Sequence, residues 1–379
     1  MHRLKNILQE RNTVVIKIGT NLLAEKEKGI NTDQIDIIAK SVSHLRSLGK
    51  NVAIVSSGAI GAGVVALKLS ERPKTIPEQQ ATAAIGQPLL MEAYENAFRK
   101  GRLSIAQILL TKDDFINRNR YVNAKNTFAA LFDKGVVPII NENDTVAVEE
   151  IKFGDNDNLS AMVATLIEAD ILVVLSDVDG LYSDNPAHNS RAELVRIVEK
   201  VTPQIEHYAR ESKNELSTGG MVTKIQAAKR CVKAGIAMII ANGKNPHAID
   251  EIFGGEFRGT VFLPVEKKLS IRKQWIGFVS NTAGVVVVDD GAKNALLKKN
   301  KSLLPSGIHE VLGEFNAQDI ISILDTGGNE IGKGISSYSS AELNKIKGKK
   351  SAEIESVLKR KAPAEVVHRD NLATMEIGE

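Results

Sequence analysis

Apolar positions along the chain fall into a phrase that recurs four times, in which a helical stripe ends in glycine and an unbroken β-branched run follows. The copies are LRSLGKNVAIV around Gly49, AFRKGRLSIAQIL around Gly101, LFDKGVVPII around Gly135 and CVKAGIAMII around Gly235. Glycine suits the left-handed position just past a helix end. Val and Ile runs without alternation match strands covered on both faces, as parallel sheets require. Each copy therefore predicts helix, cap and parallel strand. Ahead of the first copy, Ile35, Ile38, Ala39, Val42 and Leu45 recur at helical spacing behind a cap at Asn31 or Thr32, which predicts an amphipathic helix. TVVIKI near residue 15 and ILVVLS near residue 173 bring the expectation to at least six buried strands separated mostly by helices. That alternation predicts a doubly wound α/β domain with a mostly parallel sheet.

Beyond Pro264 the pattern changes to short strands and turns: WIGFVSN, GVVVVDD, DIISILD and EIGKGIS, separated by glycine and asparagine. A small β-rich domain is expected there. The resulting division is a first domain over 1–265, a charged linker over 266–275, and a β domain over 276–379 that ends in a lysine-rich tail. Within that tail, Ser339 to Lys361 reads as a solvated helix or frayed end. Gly327, Gly332 and Lys333 nearly satisfy a phosphate-loop pattern, but Gly334 stands where Ser or Thr is needed for magnesium. The stretch lies between two strand patterns and reads as a hairpin.

Composition narrows the class. A chain of 379 residues exceeds one ordinary core. Hydrophobic residues at 43% and charged residues at 25% are the balance of a folded globular protein. Lys and Arg total 49 against 46 for Asp and Glu, an excess of three that argues against a whole-chain affinity for nucleic acid or anionic membrane. Cys231 is the single cysteine, which excludes an internal disulfide and fits a reducing compartment, so a cytoplasmic location is expected. The first residues lack an apolar signal core, and no run approaches the roughly 18 apolar residues of a membrane span. His44, His207 and His247 show no metal spacing, and Trp275 is expected to anchor the small β core.

In open parallel sheets ligands bind beyond the carboxyl ends of strands. The endings here are IKIGT, VSSGAIGAG, IINENDTV and LSDVDGLY, all small, polar or acidic. Lys17 inside TVVIKI is costly to bury alone. An anionic ligand, an internal carboxylate or snorkelling at the strand end would each resolve it. Ser56, Ser57, Gly58, Gly61 and Gly63 form a turn entering a helix, suited to a carboxylate or phosphate, or glycine-rich for steric reasons alone. Thr218, Gly219, Gly220, Met221, Val222, Thr223 and Lys224 form another such turn and helix start, in which Lys224 faces either phosphate or water. Asp144, Asp155, Asn156, Asp157 and Asn158 exceed what capping needs. They suit an ammonium group, the organisation of lysines, or magnesium held through water. Ser176 precedes Asp177 and Asp179, which are turn formers or nucleotide contacts.

IKIGT, VSSGAI, INEND, GDNDNLSA, LSDVDGLY and TGGMVTK, in this order from about Thr13 to Pro264, resemble the glutamate-phosphorylating branch of the amino acid kinase family. WIGF, DDGAKNAL, SLLPSGI and GISSYSS resemble the PUA domain that many of its members carry. The resemblance implies an amino acid kinase fold and ATP-dependent phosphorylation of the side-chain carboxylate of L-glutamate to L-glutamyl 5-phosphate, the first step toward proline. It implies that Lys17 and Lys224 hold the transferring phosphoryl group and that Asp157 orients both. Ser57, Asp144 and Asn156 would bind glutamate, with Gly58 lending a backbone N–H. Ser176, Asp177 and Thr218 to Lys224 would line the ATP site. Mg2+ is expected on the nucleotide, with no protein ligand assigned. The family also implies a homo-oligomer, feedback inhibition by L-proline and handoff of the product to glutamyl-phosphate reductase, none of which a pattern in the chain displays. A sister kinase acting on N-acetylglutamate, aspartate, carbamate or a nucleoside monophosphate would share the lysines and glycine turns. RNA binding by the C-terminal domain is a further alternative, resting on its resemblance and on Lys345, Lys347, Lys349 and Lys350.

Overall fold

A computed structural model describes residues 13–25, 29–147, 156–186, 188–211, 220–265, 273, 276–277 and 282–374. The chain divides into two compact units, Met1–Lys268 and Leu269–Glu379. Most of the expected linker, 266–272 and 274–275, lies outside the described residues, as does Trp275.

The first unit is built on an eight-stranded sheet. Its strands are β1 (Thr13–Ile18), β2 (Asn51–Ser56), β3 (Ile105–Leu110), β4 (Val137–Glu142), β5 (Ile171–Ser176), β6 (Ile197–Val198), β7 (Ala237–Asn242) and β8 (Gly259–Phe262). Their order across the sheet is β3-β4-β2-β1-β5-β7-β8-β6. All six expected strands are present and pair in parallel. The unexpected part is the edge, where β8 runs antiparallel to β7 and carries the two-residue β6 beyond it. Runs of four and two residues carry too little pattern to read.

The main helices are α1 (Thr32–Ser47), α2 (Ala59–Ala66), α3 (Ile76–Lys100), α4 (Arg118–Asp133), α5 (Asn156–Leu166) and α6 (Met221–Lys233). Asn31 caps α1 by accepting from Gln34 N at 3.0 Å, which fixes the expected start. Ile35, Ile38, Val42 and Leu45 of α1 join Leu90, Tyr94 and Phe98 of α3 over Val14, Ile16 and Ile18 of β1. Successive strand residues point to opposite faces, so Lys17 looks the other way, toward the face that α5 covers.

Three of the four glycine caps are left-handed, at Gly49, Gly135 and Gly235. Gly101 is not: its φ is −88°, and Arg102 takes the left-handed turn at φ 56°. Gly101 answers a different need, since a Cβ there would stand 2.5 Å from Ser43 Oγ on α1. Contact is tighter still between α2 and α3, where a Cβ on Gly86 would stand 1.8 Å from the Ala59 carbonyl oxygen. These two helices pack backbone against backbone.

The second unit holds a five-stranded sheet of order β10-β9-β11-β12-β13. The strands are β9 (Gly284–Val288), β10 (Ile308–Leu312), β11 (Ile320–Asp325), β12 (Glu330–Ile335) and β13 (Leu372–Thr374). β11 and β12 form the hairpin read at GGNEIGKG, with Lys333 opposite Ser322 in the ladder. The lysine-rich segment corrects the reading of it as a solvated helix or frayed tail. Leu343, Ile346 and Ile354 are buried in the same core as Val286, Ile321 and Ile323. Sparse apolar residues anchor it while its lysines face outward. Among the described residues no helix is long and apolar enough to cross a membrane.

Candidate active site

The carboxyl ends of β4, β2, β1 and β5 lie side by side in the middle of the sheet, where the strand order reverses between β1 and β5, the crevice in which doubly wound sheets bind ligands. Lys17 is the penultimate residue of β1 and is paired on both sides, opposite Val55 of β2 and Val174 of β5. Its ammonium lies 2.6 Å from Asp157 Oδ1. Lys224, in the first turns of α6, reaches Asp157 Oδ2 at 3.1 Å. Thr223 donates its hydroxyl to the same oxygen at 2.8 Å.

Asp157 is wholly buried at the start of α5. Burial is the largest influence on it and opposes ionisation. The charges of Lys17 and Lys224, with hydrogen bonds from Lys17 and Thr223, outweigh burial and hold the carboxyl below its usual range. Two lysines share one carboxylate, and both are themselves largely buried. The sequence reading left an internal carboxylate open as the partner of Lys17, and Asp157 is that partner.

Residues 12–242 match the family model described as the amino acid kinase family. The chain belongs to the amino acid kinase family. Residues 284–358 match the PUA domain. Among relatives, the glutamate 5-kinase of Thermoanaerobacter sp. (strain X514) is 46% identical over 97% of this chain and 98% of that protein. The glutamate 5-kinase of Geobacter sp. (strain M21) is 46% identical over 98% of this chain and the whole of that protein. In fold, the chain is similar to carbamate kinase from Giardia lamblia bound to AMP-PNP, with a TM-score of 0.50 and 18% identity, covering 68% of this chain and all of that one.

Beside the lysines, this amino acid kinase carries a cluster of hydrogen-bonded polar groups at the ends of β2 and β4. Asn156 Nδ2 donates to the Ser56 carbonyl at 2.8 Å and Ser57 Oγ at 2.8 Å, and lies 3.1 Å from Asn141 Oδ1. Gly58 adopts φ 111° as the N-cap of α2, and no side chain caps the helix. Its left-handed backbone is what demands glycine, since a Cβ would have room, meeting Leu23 only at 3.7 Å. Asp144 is half-buried in the turn that follows β4.

On the other side of β1, Ser176 Oγ donates to Asp177 Oδ1 at 3.3 Å, and Asn21 Nδ2 donates to Asp177 Oδ2 at 2.9 Å. Burial pushes the Asp177 carboxyl up, but bonds from Asn21, its own backbone and Ser176, and the nearby charge of Lys224, bring it below its usual value. Gly220 is the extended N-cap of α6, which has no side-chain cap and no acidic residue in its first turn. Met221 is buried and Val222 half-buried in that turn. Thr218, Gly219 and Asp155 lie outside the described residues. Asp179 is spent within the protein, accepting from Asn242 at 3.0 Å, Tyr182 at 3.0 Å and Arg258 at 2.7 Å.

Sequence reasoning passed over several residues that build this site. Asn141 donates through Nδ2 to Gln87 Oε1 of α3 at 2.9 Å, and Tyr94 of α3 shares a 2.9 Å bond with Ser56 Oγ. Asn141 stood inside the quoted INEND motif. Gln87 and Tyr94 are seven residues apart on one helical face, a spacing that shows only that they point the same way.

Proposed function

We propose that the enzyme transfers the γ-phosphoryl group of ATP to the side-chain carboxylate of L-glutamate, giving L-glutamyl 5-phosphate and ADP at the head of the route to proline. The observation that supports it most is the pair of buried lysines held on the two oxygens of Asp157 at the sheet crevice. The full-length likeness to glutamate 5-kinases supports glutamate as the acceptor.

The chemistry asks for this arrangement. A glutamate side chain, with a pKa of roughly 4.3, is already ionised at neutral pH. Its oxygen attacks the γ-phosphorus directly, the bond to the bridging oxygen of ADP breaks, and no proton is moved. The barrier is repulsion between anions, so positive charge and in-line positioning carry the catalysis. Lys17 and Lys224 neutralise the transferring group from either side of Asp157. Asp157 holds them apart. Asn156, Ser57, Gly58 and Asp144 hold glutamate. Ser176, Asp177 and the residues from Thr218 to Lys224 hold the nucleotide, whose phosphates meet the N-terminal turn of α6.

Both oxygens of Asp157 are engaged by lysines, so this carboxylate is not free to take a metal. Among the described residues no group of three or more His, Cys, Asp or Glu is placed to hold one. Mg2+ would enter on the nucleotide phosphates, where it would add charge neutralisation. The reading extends to a cytoplasmic homo-oligomer restrained by L-proline that passes its unstable acyl phosphate to glutamyl-phosphate reductase.

An ATP-coupled screen of L-glutamate, N-acetylglutamate, aspartate, carbamate and nucleoside monophosphates tests the assignment. ADP release is expected with glutamate, together with a hydroxamate when hydroxylamine traps the acyl phosphate. Turnover confined to any other acceptor overturns it.

A further inference from the structure

We infer that Gln87 is a positioning residue for the substrate's amino group, acting through Asn141 to hold Asn156 in place with its Oδ1 left for the substrate. This rests on the glutamate reading above.

The direction of the amides follows from one fixed point. The Ser56 carbonyl can only accept, so Asn156 must turn Nδ2 toward it, at 2.8 Å. The same nitrogen faces Ser57 Oγ and Asn141 Oδ1. Its donors are spent on the protein, and Asn156 Oδ1 remains to accept from the substrate. Asn141, having given Oδ1 to Asn156, must direct Nδ2 the opposite way, where Gln87 Oε1 receives it at 2.9 Å. Gln87 and Asn141 are only 9% and 4% exposed, and a buried amide without a partner is costly. If Gln87 offers no acceptor, Asn141 keeps a buried donor without a partner. Its amide is then no longer held in place, and Asn156 loses the support of Asn141 Oδ1. Gln87 thus steadies Asn156 as an acceptor, which suits the ammonium group of an α-amino acid and opposes a carboxylate there.

Gln87→Met preserves volume and removes the acceptor, whereas Gln87→Glu keeps an acceptor oxygen in place. Steady-state kinetics on the full chain, with thermal unfolding to verify folding, separate them. Gln87→Met is expected to raise KM for L-glutamate roughly tenfold, the effect of losing one buried hydrogen bond, with kcat and KM for ATP within about twofold of the unaltered enzyme. Gln87→Glu is expected to restore KM for glutamate to within about threefold. A merely structural role would not split the two KM values or show this rescue. If Gln87→Met does not fold, Gln87→Leu repeats the comparison. Unchanged KM in Gln87→Met, or an equal rise in Gln87→Glu, overturns the relay while leaving the glutamate reading intact. Absence of glutamate turnover by the unaltered enzyme overturns both.

Discussion

Replacing Lys17 with methionine removes one charge and little volume from the proposed reaction centre. In the native site Asp157 is 0% exposed and has Lys17 at 2.6 Å, Lys224 at 3.1 Å and the Thr223 hydroxyl at 2.8 Å. Lys17→Met removes one of the two lysines held on Asp157, so the positive charge offered to the phosphoryl group falls. Loss of a preorganised electrostatic donor lowers kcat about 10²- to 10³-fold, roughly 2.7–4 kcal/mol of barrier. Breaking a buried ion pair costs about 3–5 kcal/mol of stability, an upper bound here because Lys224 and Thr223 remain. Folded domains carry about 5–15 kcal/mol, so the variant should still fold.

The stability loss should depend on pH, and its sign can be worked out. The folded pKa of Asp157 is depressed, so its contribution is complete above the unfolded value of about 3.9 and fades as pH falls through the lower folded value. Without Lys17, burial is opposed by less charge and the folded pKa rises. The stability gap between native and variant therefore widens as pH rises from the depressed native value toward the higher value of the variant. Urea unfolding from acid to neutral pH, with ADP release at pH 7.5, reads both effects. A folded Lys17→Met enzyme with kcat within threefold of native would refute the electrostatic reasoning.

Gly86→Ala places a methyl group against the Ala59 carbonyl oxygen at the α2–α3 contact. It should destabilise by about 1–3 kcal/mol on urea unfolding and raise KM for glutamate, because α2 begins at Gly58. A fragment of residues 1–268 should melt cooperatively and retain kinase turnover, because that unit has its own core and holds the described part of the proposed site. A fragment with native-like circular dichroism but no ADP release would contradict this.

The strands of the first unit were legible because burial on both faces writes unbroken β-branched runs, as in ILVVLS and CVKAGIAMII. Lys17 stood out for the complementary reason, as a charge within such a run. Gly101 was assigned to the right turn but for the wrong need, since sequence does not register the approach of Ser43. Gln87 was invisible because its meaning lies in a bond to Asn141, 54 positions away. In the second unit the lysines drew attention from Leu343, Ile346 and Ile354, whose burial decides the packing of that segment.

The two lysines differ in how they are mounted. Lys17 belongs to the middle of the sheet, hydrogen-bonded into neighbours on either side, while Lys224 travels with a helix. If the proposed centre tightens around its reactants, the helix would carry the movement, with the strand as the stationary frame against which the phosphoryl group would be aligned. Motions that matter to turnover would register as changes in the mobility of α6 and leave β1 still.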